Sequence, residues 1–220
     1  YKSIDKVLKQ GVVPLSPNAF EAAANETEAL ILDVRKPQDF TQGHIPGAIF
    51  IGLDGSFAPW VGGLIRDIEM PILLVTPEGR EEEAVTRLAR VGFDNTIGFL
   101  EGGFDAWKNA GKEIDTIVSI PASQLNEQYQ TVKNRIFDVR KESEFLSEHI
   151  KGAHNTPLSL LNDNMASFPK EKTFFVHCAG GYRSVIACSI LKARGTHNLV
   201  DIQGGFKAIL ETSIPKTDYV

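Results

Sequence analysis

The chain has 220 residues, of which 42% are hydrophobic and 23% charged, the balance of a soluble globular protein with one large or two ordinary domains. A net charge of −5 excludes a general affinity for nucleic acid or an anionic membrane, so any bound anion must be attracted by local groups. No apolar run approaches the length of a membrane span, and two cysteines exclude a disulfide framework and suit a reducing, cytoplasmic setting.

In chain order, residues 1–15 read as a lead-in segment with no clear partner later in the chain. A first half follows over 16–115. It contains "DVRKPQDFTQGHIPGA" from Asp33, the apolar run "ILLV", and "LEGGFDAW" around Gly102 and Gly103. A boundary falls between Gly111 and Ser119, and the second half over 116–220 repeats the landmarks in order. "DVRKESEFLSEHIKGA" from Asp138 keeps nine of sixteen positions, and "IQGGFKAI" surrounds Gly204 and Gly205. Two copies of about a hundred residues are a duplicated domain rather than a solenoid.

Strands are predicted over Arg135–Val139, Ala153–Asn155, Thr173–His177 and Asn198–Asp201. Helices are predicted over Ala122–Gln130, Lys141–Glu148, Arg183–Arg194 and Gly205–Thr212. Unalternated runs such as "FFV" and "ILLV" suit parallel strands covered on both faces. The alternation of strands and helices makes each half an α/β unit, a doubly wound and mostly parallel sheet flanked by helices. Ligands of such sheets sit beyond the carboxyl ends of the strands.

Cys178 follows a predicted strand directly, in "FFVHCAGGYRSVIACSIL". The glycines after it let successive N–H groups turn inward, and the helix opening near Arg183 and Ser184 adds a positive end. Those are conditions that lower a thiol pKa and make a nucleophile. The candidate site is therefore Cys178 with the loop Ala179, Gly180, Gly181, Tyr182, Arg183 and Ser184, and Asp138 is the expected partner of Arg183. Cys188, inside an apolar helix, reads as core. The histidines show no metal-ligand spacing, so neither a metal nor another cofactor is expected.

"DVR", "F…H-I-x-G-A", "C-x-x-G-x-R-S" and the closing "GG-F", in order and in two copies apart from the cysteine motif, make the chain resemble a tandem rhodanese, a two-domain sulfurtransferase. "HCAGGYRS" and "FAPWVG" more narrowly resemble the rhodanese pair that follows a metallo-β-lactamase-fold persulfide dioxygenase in bacterial fusions. No H-x-H-x-D-H cluster of such a dioxygenase is present here. The resemblance implies a persulfide on Cys178, small sulfur donors, thiol or cyanide acceptors, and a dioxygenase domain as partner. In the dual-specificity phosphatases of this general fold, five residues separate cysteine and arginine. Here four do, a tighter ring suited to one sulfur atom. A phosphatase or arsenate reductase ranks lower, and a sulfur-relay or regulatory module is the alternative from another class.

The duplication sorts the remaining candidates. Pro77 stands opposite Cys178 and Glu82 opposite Arg183, among Glu78, Glu81 and Glu83, so the first half is expected to be inactive. Residues kept in that half, such as Arg35 for Arg140 and His44 for His149, read as structural. His177 reads as structural too, because strand neighbours face opposite sides. Trp60, in a packed apolar loop, is the candidate contribution of the first half to a cleft.

Overall fold

A computed structural model describes residues 2–217 and divides the chain into two units, residues 1–116 and 117–220. The first unit has strands β1 (Pro14–Leu15), β2 (Leu30–Asp33), β3 (Ile49–Phe50), β4 (Ile72–Val75) and β5 (Thr96–Leu100). The second has β6 (Ser119–Pro121), β7 (Ile136–Asp138), β8 (His154–Asn155), β9 (Phe174–His177) and β10 (Leu199–Gln203). The sheet orders are β1-β5-β4-β2-β3 and β6-β10-β9-β7-β8, the same layout twice, with parallel pairing throughout. Every residue of β4 and β9 is buried, as unalternated strands between two helical layers must be.

Helices α1 (Ile4–Gly11), α2 (Pro17–Thr27), α3 (Pro37–Gln42), α4 (Phe57–Leu64), α5 (Glu81–Ala89) and α6 (Gly103–Asn109) flank the first sheet. Proline at the first turn suits α2 and α3, since its missing N–H would have no helical partner there. Helices α7 (Ala122–Val132), α8 (Glu142–Ser147), α9 (Tyr182–Ala193) and α10 (Gly205–Ile209) flank the second sheet. Leu125, Tyr129 and Val132 of α7 pack with Phe175, Ile202 and Phe206 on one face. Helix α9 is buried along Ser184–Leu191, so its apolar residues form the other layer.

The predicted second-half elements all occur, with ends shifted by up to three residues. Strand β6 is additional. The lead-in also has more structure than its sequence suggested. α1 lies so close to its neighbours that a Cβ on Gly11 would come within 2.9 Å of Val85, and β1 is the edge strand of the first sheet, the counterpart of β6.

In each unit a histidine ties the segment after its short helix. His44 stacks on Phe40 at 3.9 Å and its Nδ1 bonds the Phe40 carbonyl. His149 does the same with Phe145, at 3.7 Å. The unit's terminal segment returns antiparallel beside it, through Asp115 in one case and Lys216 in the other. This device is present in both units, as expected of histidines kept for the fold. Among the described residues, no helix is long and apolar enough to cross a membrane.

Candidate active site

Strand β9 lies at the centre of its sheet and delivers Cys178 just beyond its carboxyl end. The chain then turns through Ala179–Gly181 into α9. The Gly181 N–H points at the Cys178 sulfur, 3.1 Å away. Gly181 has φ of +101°, a conformation that glycine supplies without strain, whereas Gly180 keeps an ordinary φ with open space around its Cα. Of the two glycines, only Gly181 is therefore demanded by the backbone. Cys178 exposes 1% of its surface, so the thiol is wrapped by its loop rather than presented openly.

The loop's carbonyls are held on the opposite side. Cys178 O accepts the Phe206 N–H at 2.6 Å and Ala179 O accepts the Lys207 N–H at 3.1 Å. This close approach of α10 requires Gly205, where a Cβ would sit 2.5 Å from the Cys178 carbonyl oxygen. The glycine pair, read from sequence only as a landmark of the repeat, is thus the seat of the loop. With carbonyls turned away and an amide turned in, the sulfur meets the positive ends of backbone dipoles, and α9 adds its N-terminal partial charge.

Arg183 pairs with Glu144 on α8 through two bonds of 2.7 and 3.0 Å, not with Asp138. The bidentate bond to Arg183 pulls the Glu144 carboxyl down to about 2, and the same pairing raises Arg183. Asp138 is unavailable because its own turn consumes it. Both its oxygens accept from the Arg140 side chain at 2.7–3.0 Å, and one also accepts the Arg140 N–H. Arg140 continues to the Glu148 carbonyl and lies over the Phe206 ring at 4.1 Å. Asp138 reaches the loop only indirectly, with one oxygen 3.7 Å from His177 Nε2.

Ser184 opens a second network that the sequence did not announce. Its hydroxyl donates to buried Asp201 at 2.7 Å, and the Ser119 hydroxyl donates to the other Asp201 oxygen at 2.7 Å. Asp201 on β10 thereby fixes the first turn of α9. Tyr182 is half-buried as the first residue of α9. Cys188 is fully buried, and burial pushes its thiol well up, which suits a core thiol. Trp60 lies half-buried on α4 in the first unit, while the site around Cys178 is built from residues of the second.

The corresponding place in the first unit is a cavity of about 650 Å³ lined by Arg35, Asp39, Thr76, Pro77, Glu81 and Phe104, among others. Its scaffold is preserved: Arg35 binds Asp33 and lies over Phe104, as Arg140 binds Asp138 and lies over Phe206. The strand register matches Val75 with His177, so Thr76 rather than Pro77 stands in the place of Cys178; no cysteine is there, and Glu78, Glu81 and Glu82 crowd the turn that follows. Among the described residues, no three His, Cys, Asp or Glu side chains form a metal-binding group.

A family model described as the rhodanese-like domain matches residues 16–110 and again 121–212. An uncharacterized protein of Synechocystis sp. is 31% identical over 100 residues, 46% of this chain and 54% of that protein. A probable adenylyltransferase/sulfurtransferase, MoeZ, of Mycobacterium tuberculosis is 36% identical over 78 residues, 34% of this chain and 20% of that protein. The matches thus span about half of the first relative and a fifth of the second. The crystal structure of a thiosulfate sulfurtransferase from Pseudomonas aeruginosa aligns with a TM-score of 0.40 at 21% identity, covering 95% of this chain and 44% of that one.

Proposed function

Because the chain belongs to the rhodanese-like domain family, we propose that its second unit is a sulfurtransferase that carries sulfane sulfur as a persulfide on Cys178. The observation that supports this most is the loop geometry: an amide aimed at the sulfur at 3.1 Å, with the neighbouring carbonyls tied away to Phe206 and Lys207. The loop thus offers a sulfur-borne charge a backbone donor without a cofactor.

The chemistry is a double displacement. The Cys178 thiolate attacks the outer sulfur of a persulfide RS–SH; the new S–S bond forms as RS–S breaks, and RS⁻ leaves with the electron pair and takes up a proton. An acceptor thiolate then attacks the outer sulfur of the Cys178 persulfide, returns the Cys178 thiolate, and departs as a persulfide. Electrons balance without an external oxidant. With thiosulfate the first leaving group is sulfite, and with cyanide the final product is thiocyanate.

The donor class follows from charge. Arg183 is the one cation of the loop 178–184, and Glu144 neutralises it. A dianion such as thiosulfate finds little compensation, so a low-molecular-weight persulfide such as glutathione persulfide is the preferred donor. A metallo-β-lactamase-fold persulfide dioxygenase is the proposed partner enzyme. Intact-mass measurement after donor treatment is the test: a gain of about 32 Da, absent in Cys178→Ser, is expected for the covalent intermediate. No gain with either donor would refute the proposal. Uptake of sulfur without turnover on free acceptors would instead favour the relay alternative.

A further inference from the structure

Resting on Cys178 as the sulfur carrier, we infer that His177 is a positioning residue: its Nδ1–H holds the Cys178 carbonyl turned away from the sulfur and so sets the direction of the amide that follows. His177 Nδ1 lies 3.0 Å from Cys178 O. A carbonyl only accepts, so Nδ1 carries the proton. The same oxygen accepts the Phe206 N–H, and the carbonyl is thereby held between a side chain and a backbone donor. In a trans peptide the C=O and the next N–H point to opposite sides. Fixing the Cys178 carbonyl therefore fixes the Ala179 N–H, and keeps the negative end of a carbonyl dipole from swinging toward a thiolate.

The other face of the imidazole shows that the fold does not profit from it. His177 is fully buried, and Nε2 has no hydrogen-bond partner. The nearest charged atom is Asp138 Oδ2 at 3.7 Å, which already accepts from Arg140, and the Phe206 ring lies 6.1 Å from the imidazole. Burial holds His177 below the usual histidine range, so the ring stays neutral and sets an Nε2 lone pair toward a carboxylate. A buried, unpartnered nitrogen opposes folding. An apolar side chain would suit the core better.

The first unit makes the same point. Asp33, Arg35 and Phe104 repeat Asp138, Arg140 and Phe206, yet the position of His177, the last residue of β9 and the register partner of Asp138, is occupied by Val75, the register partner of Asp33. The sheet forms without the imidazole where the cysteine is missing. Here the histidine accompanies the nucleophile, whereas His44 and His149 accompany the fold. The argument that strand neighbours diverge does not separate His177 from the loop, because Cys178 lies past the strand end, where its carbonyl is within reach of the preceding side chain.

The test compares His177→Leu with His177→Asn in the full chain, the asparagine amide supplying an N–H near the Nδ1 position. Two readouts are taken: the thermal midpoint, and the pH profile of Cys178 alkylation by iodoacetamide, localised by peptide mapping. His177→Leu is expected to melt no lower than wild type, yet to shift the alkylation midpoint upward by about one pH unit and slow persulfide formation about tenfold. His177→Asn is expected to restore both to within about twofold of wild type. An unchanged alkylation profile in His177→Leu, an asparagine variant as impaired as the leucine one, or a leucine variant that fails to fold would each overturn the inference. Nitrogen NMR of the wild-type chain decides independently, because an Nε2–H tautomer is incompatible with it. Alkylation needs no sulfur donor, so a chain that takes up no sulfur would defeat the proposed function and leave this measurement readable.

Discussion

Substituting alanine at Gly205 and, separately, at Gly103 isolates the contact that seats the active loop. The two glycines hold equivalent places in the two units, at φ of +58° and +65°. Alanine pays the same left-handed penalty at each, about 1–2 kcal/mol. At Gly103 nothing further happens, because the nearest heavy atom to the new Cβ is the Thr76 oxygen at 3.6 Å, an ordinary contact. At Gly205 the Cβ would meet Cys178 O at 2.5 Å and the Ala179 carbonyl carbon at 2.7 Å, well short of ordinary contact at 3.4 Å. Both atoms are backbone, so the loop must retreat, at the roughly 1–3 kcal/mol typical of overpacking. Gly205→Ala should thus cost about 2–5 kcal/mol against about 1–2 kcal/mol for Gly103→Ala. Peptide-resolved hydrogen exchange over 178–190 and 77–89 would localise each loss, and intact mass after donor treatment would report the site. Sulfur uptake should collapse in Gly205→Ala alone. Equal destabilisation of the two variants, with wild-type uptake in both, would refute the idea that this contact seats the loop.

Three further outcomes follow from the charges and thiols of the second unit. Glu144→Gln leaves Arg183 without its counterion, so the specificity constant for thiosulfate should rise relative to that for a persulfide; an unchanged ratio would show that Arg183 does not sense donor charge. The same pair sets an acid limb of stability. With Glu144 pulled from 4.5 to about 2, its contribution is complete above pH 4.5 and is lost as the pH falls toward 2. Glu144 is one-third exposed, and after screening this limb amounts to about 1 kcal/mol, which urea midpoints at pH 5 and 3 should show in wild type and not in Glu144→Gln. Cys188→Ala removes a buried sulfur that takes no part in transfer, so it should cost about 1–2 kcal/mol of stability while the mass gain on Cys178 persists. Loss of the gain would implicate Cys188 in the chemistry.

The sequence exposed the duplication, the central strands and the turn at Cys178 because each leaves a local mark: "FFV" and "ILLV" are unbroken apolar runs, and a cysteine followed closely by a glycine pair announces a turn. Strands β1 and β6 escaped because they are two- and three-residue edge strands containing Pro14 and Pro121, too short for any periodicity. The Arg183 partner escaped for a different reason. Asp138 belongs to a motif present in both halves, and its partner in both is the arginine two residues on, Arg140 here, whereas Glu144 meets Arg183 only through tertiary packing. Asp201 could have been found by the converse comparison. Alignment on the glycine pairs sets it opposite Phe99, and sets Ser184 opposite Glu82, so this buried carboxylate and its serine partner occur together in the unit that has the cysteine.

The preserved Asp33–Arg35–Phe104 scaffold makes the first unit a natural recipient for grafting. An engineer who transplanted residues 177–184 over 75–82 would find Asp39 already standing in the place of Glu144, and Gly103 in that of Gly205. The missing piece would be an acid at position 99 to receive the transplanted serine. What separates the two units at this place is therefore a cassette of eight residues and one anchoring carboxylate, set into a chassis that the chain already owns in duplicate.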